Sequence, residues 1–281
     1  IHQAENTMYK GDKWFFDEFA DRDPRLYDNI DKEGLRLEGS VAVYAATGYF
    51  AHLFVNPDLK TVPGGMSSTN ITDAPVMKLN EVMMNYIEAA AELADMGQYT
   101  LTQGDFDKTI NALRNRPSTS MPAVTLAGSN LAVNGVTIND PDRDKGQMKS
   151  GDYEVSPILW EVRRERRTEL PYQGIRFNDL RRWGKLHYAD MKVNPKLNLG
   201  AWLDKDAYVA WYNEQNGTSL TVEDLKGIHL DREGNAGYIV PAIDASLLRT
   251  CEDKHYLYPI PSQEIALYQS NGYTLSQNPG W

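Results

Sequence analysis

The sequence predicts a mainly α chain built from paired helices, extensive irregular loops and a few short strands. Apolar residues recur at helical spacing over residues 76–93 and again over residues 106–113. Ser156-Pro157 opens a third helical segment, with serine as the cap and proline at the first helical position. The stretches between these segments are rich in Ser, Asn, Gly, Pro and Asp and carry no period.

At 281 residues the chain can bury a sizeable core, as one large domain or two small ones. Its hydrophobic content of 41% and charged content of 24% are ordinary for a globular protein and exclude wholesale disorder. The net charge of −10, from 39 acidic and 29 basic side chains, opposes a surface built to neutralise phosphates. Nucleic acid is therefore not an expected partner. The single cysteine, Cys251, excludes an internal disulfide framework and a multi-cysteine metal site, and it reads as an inert buried thiol. The longest mostly apolar stretch, residues 41–55, is broken by Thr47, Gly48 and His52 and is too short to span a bilayer as a helix. Ile1-His2-Gln3 is neither an initiator methionine nor the start of a signal peptide, so the chain is expected to be a piece of a longer one.

Residues 1–71 show little helical period and read as loops and short strands, with the aromatic run Trp14-Phe15-Phe16 followed by a turn-rich segment. Asp73 then caps a helix that carries Pro75 in its first turn. Val76, Leu79, Met83, Tyr86, Ile87, Ala90 and Leu93 fall on one face, and Gly97 stops it. Phe106, Ile110 and Leu113 mark a second helix that ends before Pro117. The two form a helix hairpin of about tetratricopeptide length, whose apolar faces need further partners. Residues 118–151 read as an irregular loop. The third helix runs from Ser156 to about Leu170, and a shorter helical turn from Phe177 to Trp183. Residues 192–237 show no clean pattern. Residues 257–265 run from an extended stretch into one more short helix, and residues 276–281 form a turn-like tail.

The third helix is dense in charge. Glu161, Glu165 and Glu169 are spaced four apart, with Arg164, Arg166 and Arg167 close enough to pair with them. Arg176 and Asp179 can extend the set by bidentate pairing. Such a set reads as architecture that locks one helix on another layer. A glycosidase needs two carboxylates about 5–10 Å apart across an open cleft, one of them held protonated. The arginines beside Glu161 and Glu165 would keep both ionised, so no catalytic residue is assigned and the chain does not read as an enzyme. No Gly-x-Ser-x-Gly elbow is present. His2, His52, His187, His229 and His255 are scattered without zinc-ligand spacing, and no cofactor or metal ligand is assigned. Asp140, Asp142 and Asp144 alternate like the opening of a calcium loop, but Lys145 and Gly151 stand where the bend glycine and the terminal glutamate are needed. An EF-hand is excluded. A solvated acidic loop and a calcium-binding surface loop of another kind both stay open.

Capture of a sugar needs flat aromatic faces for its axial C–H groups, with polar groups nearby for its hydroxyls. Tyr9, Trp14, Tyr44 and Tyr49 lie in loop- or strand-like sequence, where such faces are displayed, and are the candidate ligand-binding residues. Trp202, Tyr208, Trp211 and Tyr212 form a second cluster, and the helical spacing of Tyr208 and Tyr212 assigns it to the core.

Four segments resemble, in order, those of the SusD/RagB family of nutrient-binding outer membrane lipoproteins. The first is Arg22-Asp23-Pro24-Arg25-Leu26. The second runs from Glu81-Val82-Met83 to Ile110-Asn111-Ala112-Leu113-Arg114. The third joins Glu165-Arg166-Arg167, Glu169-Leu170, Gly174-Ile175-Arg176 and Asp179-Leu180-Arg181-Arg182-Trp183. The last runs from Tyr258-Pro259-Ile260-Pro261 to Asn278-Pro279-Gly280-Trp281. Gln173 and Trp281 depart from the residues that family members commonly carry there. The resemblance implies a SusD-like fold of tetratricopeptide-like helix pairs, with residues 1–281 as the carboxy-terminal portion and the amino-terminal helical repeats outside this sequence. It implies cell-surface binding of an oligosaccharide or other oligomeric nutrient, with delivery to a SusC-like TonB-dependent transporter. It places the protein on the extracellular face of the outer membrane, held by a lipid anchor outside this chain. A secreted glycoside hydrolase and a peptide-binding or purely structural scaffold of the same complex are the alternatives.

Overall fold

A computed structural model describes residues 14–19, 22–31, 33–51, 53, 75–140, 143 and 155–281. Helices dominate these residues. Helix α1, Phe15–Phe19, buries Phe15 and is followed by a 3-10 turn, Pro24–Leu26. Asp23 caps that turn by accepting the Arg25 N–H at 3.0 Å. The short strands expected in residues 1–71 are not formed by the described residues there. Loop-to-loop backbone bonds replace a ladder, as in Arg36 N–H to the Gly48 carbonyl at 3.0 Å, with one isolated bridge between Ile30 and Ala51.

Helix α2, Leu79–Asp95, stops at Gly97 as the sequence indicates. It begins later than expected, with Pro75 outside it, and Asp73 lies outside the described residues. Its buried face is Met84, Ile87, Glu88, Ala90 and Ala91. Val76, Leu79, Tyr86 and Leu93, assigned to the buried face, are exposed. The cause is Glu88, which periodicity alone reads as solvent-facing. Its carboxylate takes Arg182 at 2.6 Å and Trp183 Nε1–H at 2.5 Å, and these partners turn that side of the helix inward.

The second predicted helix is present as two short ones, α3, Gln103–Asp107, and α4, Ile110–Arg114. Thr109 breaks it with a non-helical backbone, while Phe106, Ile110 and Leu113 are buried as predicted. Residues 118–140 are not wholly irregular. Strands β1, Val124–Ala127, β2, Asn130–Val133, and β3, Val136–Thr137, form an antiparallel meander. Its second turn is Asn134-Gly135, both with positive φ, the dipeptide that a tight hairpin favours.

Helix α5, Pro157–Glu169, starts as read from the sequence, with Ser156 Oγ accepting the Leu159 N–H at 3.2 Å. Helix α6, Arg176–Arg182, follows. Residues 192–237, which gave no clean pattern, contain strand β4, Trp202–Asp204, and helix α7, Lys205–Asn216, capped by Asp204. Strand β5, Ala236–Tyr238, pairs antiparallel with β4. Helix α8, Ser262–Ser270, closes the order. The tail after it is tied back, with Gln277 bonding both backbone groups of Ile260 and Asn278 Nδ2 donating to the Tyr258 carbonyl at 2.7 Å.

Two hydrophobic clusters result among the described residues. The larger packs α2, α3, α4 and the meander around α5 and α6, with Trp160, Ile87 and Phe106 at its centre. The smaller gathers Phe15, Ile30, Leu35, Leu37, Leu203 and Tyr208. No described helix is long and apolar enough to cross a membrane.

Candidate functional site

Two of the aromatic candidates, Trp14 and Tyr49, lie on the smaller cluster. Trp14 is half-buried and packs edge-on to Trp211 at 6.1 Å between ring centres, and Phe16 completes the group at 6.2 Å from Trp14 and 5.5 Å from Trp211. Helix α7 positions Trp211, and the loop at Gly34 lets its indole lie close. A Cβ there would meet the indole Cη2 at 2.7 Å, and Gly34 has a φ of +147°. The wall behind the patch is tied by hydrogen bonds. Tyr208 is fully buried, and its hydroxyl donates to the Leu35 carbonyl at 3.3 Å and lies 3.0 Å from Ser40 Oγ. Tyr212 donates to the Ser40 carbonyl at 2.8 Å. Burial raises the Tyr208 phenol above its ordinary range, so the hydroxyl stays a donor.

Of the residues singled out from sequence, Trp14 and Tyr49 both pack on this cluster. Tyr49 is half-buried, 6.3 Å from Phe15. Tyr44 is 47% exposed and makes no ring contact with the others. Tyr9 lies outside the described residues. The second aromatic group, read as core, is divided. Tyr208 is core, Trp211 is half-buried in the patch, and Trp202 stands elsewhere, packed on Tyr238 at 5.2 Å with Arg232 over its ring. Phe16, 39% exposed, and Trp211 were not singled out as ligand contacts. Their only sequence signal is the aromatic run at Trp14 and the position of Trp211 three residues beyond Tyr208.

The charged helix does form a network, largely through partners far away in sequence. Along the helix itself Arg164 pairs with Glu161 at 2.6 Å and Glu165 at 3.5 Å. Glu165 is held by Arg25 at 3.0 Å and by Arg114. Glu169 accepts from Arg116 at 2.8 Å, Asn80 at 2.9 Å and Arg25 at 3.3 Å. Arg166 turns to Asp179 at 2.7 Å and Glu88 at 3.4 Å. Arg163 reaches Glu92 at 2.7 Å. The expected pairing of Arg176 with Asp179 does not form, because Arg166 and Arg182 occupy both oxygens of that carboxylate. Burial alone would raise the Glu165 carboxyl, but Arg25, Arg114 and Arg164 outweigh it and hold it down at about 2.

These carboxylates are therefore occupied by guanidinium partners, which suits a structural brace. Among the described residues no group of His, Cys, Asp and Glu could hold a metal ion. Asp140 accepts from Trp160 Nε1 at 2.9 Å, while Asp142 and Asp144 lie outside the described residues. Cys251, read from the sequence as a buried thiol, is only half-buried, and its N–H donates to Asp190 at 2.8 Å.

Residues 1–281 match the model of a protein family described as the SusD family. A search of the curated proteins found no match. Among solved structures, the chain is similar to a SusD-like carbohydrate binding protein from Bacteroides fragilis, at 24% identity and a TM-score of 0.49. The alignment covers 92% of this chain and 43% of that one, so the chain spans less than half the length of that protein.

Proposed function

The chain belongs to the SusD family, and from that premise we propose that it serves as a non-enzymatic nutrient binder of the cell surface. The ligand is an oligosaccharide, captured on aromatic faces around Trp14 and Trp211. Tyr44 and Tyr49 on the neighbouring loop extend the contact, and Tyr9 stays in the proposed ligand-binding set on its sequence alone. The whole protein sits on the extracellular face of the outer membrane by a lipid anchor, carries tetratricopeptide-like helix pairs, and passes its ligand to a SusC-like TonB-dependent transporter.

The observation that carries this reading is the aromatic patch itself. Indole and phenyl faces stand partly open to solvent on a wall fixed by the Tyr208 and Tyr212 hydroxyls. Such faces pack sugar C–H groups without any change of covalent structure. A hydrolase would instead need one carboxyl held protonated in an open cleft, and the carboxylates of α5 are buried and ion-paired.

A panel of soluble oligosaccharides, read by tryptophan fluorescence and followed by product analysis, tests the proposal. Binding of at least one glycan that is recovered at its original length is expected. Shortened products would replace the binder with a glycoside hydrolase. Binding of peptides alone would move the ligand class to the peptide alternative.

A further inference from the structure

A cavity of about 300 Å³ opens between the Pro24–Leu26 turn and the segment joining α5 to α6. None of its lining residues belongs to the aromatic patch. Leu26, Ile30, Leu170 and Ile175 give it apolar walls, and Arg167 and Arg176 stand among them. Two carboxylates also line it, and both are engaged. Asp23 meets Arg25 at 2.6 Å, and Asp179 meets Arg166 at 2.7 Å and Arg182 at 2.9 Å.

Arg176 differs from the network arginines. Among the described residues it meets no carboxylate at ion-pair distance, and its Nη1 is shielded from solvent without an acceptor. Its guanidinium carbon lies 5.4 Å from the centre of the Trp183 ring. Burial, then the nearby Arg167 charge, pulls the Arg176 guanidinium down to about 9, and burial pulls Arg167 down to about 10. Both groups still carry their charge at neutral pH. A cationic donor inside apolar walls, with Nη1 lacking an acceptor among the described residues, is complementary to a planar oxyanion on a nonpolar stem.

We propose that this cavity is a second ligand site, which binds a carboxylate carried on an apolar body with Arg176 as its receiving fork. The carboxylate comes from a small free acid or from the end of a polypeptide, and the two sources present the same chemistry.

Calorimetric titration of the full chain at fixed ionic strength separates them. The probes are 3-phenylpropionate against 3-phenylpropanamide, and acetyl-Ala-Leu with a free carboxylate against its amide. At least one acid is expected to bind ten-fold or more tightly than its amide, and a preference seen only with the peptide assigns the polypeptide source. Arg176→Met, checked for folding by circular dichroism, is expected to abolish that preference, and Arg176→Lys to weaken it. Equal binding of acids and amides would overturn the proposal, as would an undiminished preference in a folded Arg176→Met protein. Should the methionine variant fail to fold, an undiminished preference in Arg176→Lys would do the same.

Discussion

Arg25 Nη1 and Glu165 Oε2, separated by 140 positions in the chain, meet at 3.0 Å in the interior. Asp23 orients the arginine from the other side at 2.6 Å, and Arg114 completes the glutamate. This pair joins the 3-10 turn beside the aromatic loops to the central helix α5. It is therefore a brace that ties this turn to the helical layer.

Removing one partner of this buried pair strands the other charge. Glu165→Ala is expected to lower unfolding free energy by about 3–5 kcal/mol, measured by urea denaturation. Arg25→Ala and Glu165→Ala should be non-additive, with a coupling of about 1 kcal/mol or more in a double-mutant cycle. Additive losses would show that the two side chains act independently.

The same glutamate sets an acid limit. Its folded pKa, about 2, lies below the ordinary value of 4.5, so the stability it confers is complete above the unfolded pKa. That stability is lost as pH falls from about 5 towards 2, and amounts to about 3 kcal/mol at most. Urea midpoints measured across this range should fall steeply for the native protein. Glu165→Gln should flatten that part of the profile.

Gly200 supports the loop that carries Tyr49. A Cβ at this position would lie 2.5 Å from the Thr47 carbonyl oxygen, the atom that accepts the Ala201 N–H at 2.8 Å. Gly200→Ala must displace that loop-to-loop contact. A loss of about 1–3 kcal/mol is expected by thermal or urea unfolding, together with weaker glycan binding. Unchanged stability would mean that the loop shifts freely.

Legibility in the sequence followed the range of the interactions. The start of α5 was readable because Ser156 and Pro157 act within one turn. Phe106, Ile110 and Leu113 were readable as core because their spacing is local. The face of α2 was misplaced because Glu88 is buried by Arg182 and Trp183, which lie 94 and 95 residues further on. Arg25, Arg114 and Arg116 were likewise invisible as partners of Glu165 and Glu169, although Arg25 and Arg114 stand in segments that carry the family resemblance. The meander at residues 124–137 had a local signal, Asn134-Gly135 between apolar pairs, which the polar composition around it masked. Trp211 was drawn towards the core by its neighbours Tyr208 and Tyr212, whereas its partner Trp14 is almost two hundred residues away.

Capture by aromatic faces, with the α5 carboxylates acting only as a brace, is tested most directly by comparing two variants. Trp14→Ala and Glu161→Gln would be titrated with the oligosaccharide that the native protein binds best, and the products analysed. Trp14→Ala should weaken binding about ten-fold or more, the loss of about 1.4 kcal/mol of stacking, while Glu161→Gln leaves affinity and glycan length unchanged. Retained affinity in Trp14→Ala, or glycan cleavage by the native protein that Glu161→Gln abolishes, would contradict it.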